Sequence, residues 1–149
     1  AVLFIMFLLL FRSFKVSIIA LMPNLLSIGT VLGLMGHLNI PLDMMTITIA
    51  AISMGIAVDN TIHYVFRHKS EFIVSSNYNT AMLKTHSSIG YALYYTTLTI
   101  IVGFSILVFS NFIPSIYFGL LTSLAMLVAL LASLTLVPRL LEILKPYKI

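Results

Sequence analysis

Five apolar stretches, separated by short polar ones, fill almost the whole chain, and no other feature limits so strongly what it can fold into. They run over residues 1–11, 16–36, 44–66, 88–109 and 116–137. A helix needs about 20 apolar residues to cross a bilayer core of about 30 Å, and four of the five stretches meet that length. Burying them in water is not an option. Of the 149 residues, 60% are hydrophobic and 8% charged, where a soluble domain carries roughly 25% charged residues, and a chain this short has no interior large enough to hide the excess. The expected fold class is all-α integral membrane, with five transmembrane helices of which the first, residues 1–11, is truncated. That first stretch opens on Ala with no basic residues before it, so it does not read as a signal peptide. It is expected to be the end of a longer helix, and the sequence a C-terminal part of a larger protein.

The absence of cysteine excludes a disulfide framework and a thiol nucleophile or thiolate metal site. The formal charge of +4 comes from cations that fall at one end of the helices, which reads as topology and not as a nucleic-acid surface. Arg12 and Lys15 occupy the first connection, Arg67, Lys69 and Lys84 the third, and Arg139, Lys145 and Lys148 the tail, while the second and fourth connections have none. Cytoplasmic loops collect Lys and Arg. The expected location is therefore the inner (plasma) membrane, with a cytoplasmic connector over residues 67–87, a cytoplasmic tail over 138–149, and outer turns marked by Pro41 and Pro114. Within the connector, helical spacing predicts a short interfacial helix around residues 80–87.

Of the four acids, Glu71 and Glu142 lie outside the apolar stretches and Asp43 lies at an outer end, so only Asp59 falls well inside one. At 1.5 Å per residue it sits about 22 Å along the third helix from Met44. An ionisable group at membrane depth is costly and by default marks an ion or proton path. His63, four residues on, falls one turn below on the same face, so the two side chains form a candidate proton relay. Thr48, Ile52, Gly55, Asp59 and His63 share one stripe, with Ser53 and Asn60 on the next. The Asp59 stripe is expected to face inward, with Gly55 leaving room beside the carboxylate. Its expected partners are Thr96, Thr99 and Gly103 on the fourth helix and Gly119, Thr122, Ser123 and Ser133 on the fifth. The plainer alternative is a neutral Asp59 that only bonds two helices together. Gly29 and Gly33 suggest a close helix approach, and Pro23 with Asn24 a local bend and one buried amide. No cofactor is implied, and one Asp with one His falls short of a metal ligand set.

The run MPNLLSIGTVLGLMGHLNIPLDMMTITIAAISMGIAVDNTIHY, with GIAVDNTIHY at its centre, resembles hydrophobe exporters of the resistance-nodulation-division superfamily, the group that includes the MMPL transporters. YYTTLTIIVGFSILVFSNFIPSIYFGLLTSLAMLVALLASLTLVPRLLEIL is similar to their last two helices, so the resemblance covers essentially the whole chain. It implies the membrane bundle of the second half of such a transporter, with five helices resembling a sterol-sensing domain. Asp59 matches the family's membrane acid. The implied function is export of lipids or other hydrophobic molecules driven by the proton-motive force, with the N-terminal half of the same protein and membrane lipids as partners and a homo-oligomer left open. Two positions depart from the pattern: Asn60 stands where relatives often have a second acid or a Tyr, and Ser133 where many have an Asp. The alternative is a lipid-binding regulatory module like a sterol-sensing domain, without transport. An enzyme is not expected, since no nucleophile sits beside a base.

Overall fold

The computed structural model describes residues 2–41 and 43–146, with Met45 described by its backbone alone. Ala1 and the tail from residue 147, including Lys148, lie outside the described residues. The elements are α1 (Val2–Phe11), α2 (Phe14–His37), α3 (Met44–Ser75), α4 (Tyr78–Thr85), α5 (Tyr91–Ser105) and α6 (Ile113–Leu144), with no strand among the described residues. A π-helical turn, His86–Gly90, carries α4 into α5, and a 3-10 turn, Ile106–Phe109, follows α5. Tyr78–Phe109 is thus one continuous 32-residue rod. Four helical stretches are long and apolar enough to cross a membrane, and α1 is a shorter apolar one, as the apolar pattern predicts.

Local chemistry sets the ends. Asp43 caps α3 with a capping box: its carboxylate accepts from the Thr46 amide at 2.9 Å, and its own amide donates to the Thr46 hydroxyl at 2.8 Å. That accounts structurally for one of the four acids. Pro114 falls in the first turn of α6, where a missing N–H costs nothing.

The third connection differs from the sequence expectation. In place of a connector over residues 67–87, α3 continues to Ser75, and the turn is only Ser76 and Asn77. The charged residues end the apolar stretch but not the helix, because Arg67 and Glu71 pair at i,i+4 across 2.7 Å. Ser76, at φ 52 in the left-handed region, stops it. Asn77 caps α4 by accepting from the Asn79 amide at 2.9 Å, and Phe72 packs on Tyr78 with ring centroids 4.3 Å apart. The expected interfacial helix at 80–87 is the first turns of the rod.

Helix α6 packs against α2, α3 and α5. Towards the basic end the core gathers Phe7, Ile19, Tyr64, Val65, Val137 and Leu141, and towards the turn end Val31, Met35, Ile49, Leu121 and Ala125. The close helix approach is at Gly119, where an added Cβ would meet the Phe104 carbonyl oxygen at 2.5 Å. Gly29 and Gly33, expected to make one, have nothing within 4 Å.

A polar contact ties the start of the rod to α6. Pro138 lies inside α6 and has no N–H to offer the carbonyl of Leu134, four residues earlier. His86 fills the gap, its Nε2 lying 2.9 Å from that oxygen. A carbonyl only accepts, so Nε2 carries the hydrogen. On the other side of the ring, Nδ1 lies 3.0 Å from the Tyr64 hydroxyl of α3 and 3.1 Å from the Met82 carbonyl.

His86→Leu should therefore leave a carbonyl without a donor and lower stability by about 1–3 kcal/mol. Pro138→Ala restores an amide at that position, so the double variant should recover much of the loss. Unfolding midpoints of the four proteins in detergent measure this cycle, and a Pro138→Ala background in which His86→Leu costs just as much would contradict the account.

Candidate functional site

Helix α3 has two polar faces, and the structure assigns them the opposite way from the sequence expectation. Ser53, Ala57, Asn60, Thr61, Tyr64 and His68 are buried, at spacings that return to one side of a helix. Thr48, Gly55, Asp59 and His63 lie on the other side and are exposed. The Asp59 side chain is 69% exposed and that of His63 61%.

The expected packing of Asp59 on Thr96, Thr99 and Gly103 does not occur. Those three residues are exposed on α5. The Thr96 and Thr99 hydroxyls donate to carbonyls of their own helix, Ala92 at 3.0 Å and Tyr95 at 2.9 Å, and Gly103 has nothing within 4 Å. The neighbouring residue, Thr97, is the one that turns inward: its hydroxyl accepts from the Asn60 amide at 3.3 Å. Ser133 of α6 is buried against the other face of α3, 3.4 Å from the Thr61 hydroxyl, and Thr122 is buried with no hydrogen-bond partner for its hydroxyl. Ser123 donates to the Ile101 carbonyl of α5 at 3.3 Å. Of Gly55, Asn60, Thr96, Thr99 and Gly103, only Asn60 makes a side-chain hydrogen bond between α3 and another helix.

Asp59 and His63 do meet each other. Oδ1 lies 3.4 Å from Nε2 across one helical turn, close enough to pair when the imidazole is protonated. Gly55, one turn towards the turn end, has nothing within 4 Å of an added Cβ. The result is a carboxylate and an imidazole on an open helix face beside a position with no side chain. Such a pair can hold a proton between two bases, and the smooth patch next to it admits another helix closely. Among the described residues, no group of three or more His, Cys, Asp or Glu is placed to hold a metal ion.

Sequence reasoning passed over Tyr64, His68, His86 and Thr97. The signal for the first two was present: Ser53, Asn60, Tyr64 and His68 recur on one face at helical spacing. His86 could be found only by asking which donor serves the carbonyl that Pro138 leaves open.

The sequence pattern of the MMPL family matches residues 1–146, and the chain belongs to that family, a family of membrane transporters. A protein of Methanocaldococcus jannaschii, named provisionally as a membrane protein, is 33% identical over 137 residues, which cover 89% of this chain and 34% of the relative. This chain thus spans about a third of the curated relative that it matches. No solved structure matches it significantly.

The two faces of α3 should respond differently to substitution. Asn60→Leu removes a buried bond to Thr97 and should lower stability by about 1 kcal/mol. Asp59→Asn, on a side chain that is 69% exposed and pairs within its own helix, should stay within about 0.5 kcal/mol of the wild type. Thermal unfolding of the purified bundle in detergent compares them. An Asp59→Asn loss larger than that of Asn60→Leu would reverse the assignment of the faces.

Proposed function

We propose that this chain is one membrane bundle of a larger proton-driven exporter of lipids or other hydrophobic molecules, and that Asp59 with His63 is its proton site. The observation that carries the reading is the open face of α3. An acid and a histidine stand exposed there, about 22 Å along a helix that crosses the membrane, beside a glycine with nothing against it. Lipid is a poor neighbour for such a pair, since polar groups at membrane depth face protein or a wet cavity. The cover comes from the rest of the same protein, of which this chain is about a third on the scale of its relative. The proton site is then a joint between two bundles, and not an interior site of this one. Protonating Asp59 changes the charge at the joint, and so couples proton passage to the movement of one bundle against the other. The supporting residues in this reading are Gly55, which lets the partner approach, and His63, which hands the proton on towards the basic end.

The basic end belongs on the cytoplasmic face of the plasma membrane, because Arg12, Lys15, Arg67, Lys69, Lys84, Arg139 and Lys145 all fall there. In the full-length protein, a cysteine introduced at Asn111 should be labelled from outside and one at Lys145 only after permeabilisation. The reverse pattern would invert the topology.

In the complete transporter, Asp59→Asn should abolish substrate efflux under an imposed pH gradient at matched expression, because Asn cannot release a proton. Each proton crossing the membrane field supplies about 2.3 kcal/mol per 100 mV, and without a titrating group that energy has no route into movement. His63→Gln should have a smaller effect. Normal efflux by Asp59→Asn would make the carboxylate structural.

A further inference from the structure

The buried seam between α2, α3 and α6 holds three polar atoms that no protein group answers. They are Asn24 Oδ1, Ser53 Oγ and Thr122 Oγ1, and all three residues are fully or almost fully buried. Their isolation is not the habit of this bundle. Hydroxyls of Ser17, Thr30, Thr48, Thr61, Thr85 and Thr135 donate back to the carbonyl four residues earlier, at 2.6–2.9 Å. Ser53 and Thr122 have that carbonyl available and do not use it. Asn24 uses only its amide nitrogen, which donates to the Ala20 carbonyl at 2.9 Å, and its oxygen is left over.

Register brings the three residues within about two helical turns of one another. The Ser27 hydroxyl donates to the Ala125 carbonyl at 2.7 Å and ties α2 to α6. Asn24 is one turn from Ser27 towards the basic end, and Thr122 one turn from Ala125 towards the turn end. Helices α3 and α6 run the same way: Ile49 clusters with Leu121 and Ala125, and further along Thr61 meets Ser133. Eight residues back from that pair, Ser53 stands level with Ala125. The orphan oxygens therefore lie within about 9 Å along the bundle axis.

We propose that this seam binds at least two buried waters, with Asn24, Ser53 and Thr122 as their ligands. Buried water typically makes about three hydrogen bonds to groups that would otherwise go unsatisfied. An acceptor amide oxygen, two free hydroxyls and the lone pairs of Ser27 provide that number. A metal cation fits worse, because the seam contains no carboxylate: Asp59 points away on the far side of α3. From Ser53 the same buried face continues through the Thr61–Ser133 pair to Tyr64 and His86. There, two adjoining grooves of about 530 and 430 Å³ share Leu83, His86 and Leu134, and the second reaches Arg139 and Glu142. The seam waters thus head a polar file that runs towards the basic end and stays separate from Asp59 and His63.

Two measurements on the full-length protein in detergent test the site. Thr122→Val keeps the shape and removes the hydroxyl. If the hydroxyl holds water, the melting temperature falls by at least about 2 °C; if it is buried dry, removing an unsatisfied group raises the melting temperature or leaves it unchanged, and the proposal fails. The second probe is silver ion, small enough for a water position, acting on a protein otherwise free of cysteine. A thiol reacts as the thiolate, which forms only where water reaches it. Ser53→Cys should react at least tenfold faster than Ile49→Cys, an equally buried position on the same helix but in an apolar cluster. Equal rates would overturn the proposal even if Thr122→Val proved too unstable to measure.

Discussion

Lipid offers a carbonyl or hydroxyl nothing to bond to, and in this bundle most of the side-chain bonds between helices that answer this constraint converge on α6. Ser27 of α2 donates to the Ala125 carbonyl, Thr61 of α3 meets Ser133, and His86 of the rod donates to the Leu134 carbonyl. Ser123 returns a bond from α6 to α5. Each of the three long partners is fastened to the same helix by at least one polar contact, while dispersion and close approach fill the space between. Gly119 provides the closest of these approaches, because its missing Cβ lets the Phe104 carbonyl come against α6. In lipid such packing holds helices together where the hydrophobic effect gives no preference for helix over tail.

The helix class and number can be read directly from the sequence, since runs of apolar residues at membrane length leave few alternatives. The ends are less legible. Hydropathy reports where lipid contact stops, and at Arg67 the lipid-compatible stretch ends while the helix continues for two more turns. What decides the end is a local ion pair with Glu71 and a residue able to take a left-handed conformation, Ser76. Neither leaves a mark in hydropathy. The π-helical turn at His86–Gly90 is equally invisible there, although the Pro138 gap that fixes its orientation is written in the sequence.

The face of α3 is the instructive failure. An acid at membrane depth must be covered, and from that true premise the sequence expectation concluded that this bundle covers it. The premise requires a cover from some neighbour and does not say which, and this chain spans about a third of its relative's length. Within this chain, the inward face is decided by area and neutral polarity: Ser53, Ala57, Asn60, Thr61 and Tyr64 are buried, and Asn60 bonds to Thr97 of α5, Thr61 meets Ser133 of α6 and Tyr64 meets His86. A charged pair would lose hydration on that face and find no opposite charge.

This division of faces also gives physical meaning to the two departures from the resistance-nodulation-division pattern. Asn60 and Ser133 stand where the resemblance leads one to expect an acid or a Tyr, and both are buried, whereas Asp59 is exposed. Asn60 donates to Thr97 of α5, and Ser133 sits against Thr61 of α3. A second carboxylate at either position would be desolvated among hydroxyls and backbone carbonyls, with no Lys or Arg among the described buried residues to offset the cost. Neutral groups of similar reach hold the same helices together without that penalty. The substitutions therefore belong to the internal bonding of the bundle and leave the chemistry of its open face untouched: residues 59 and 60 are neighbours in sequence, but the turn of the helix sends one outward and the other into the core.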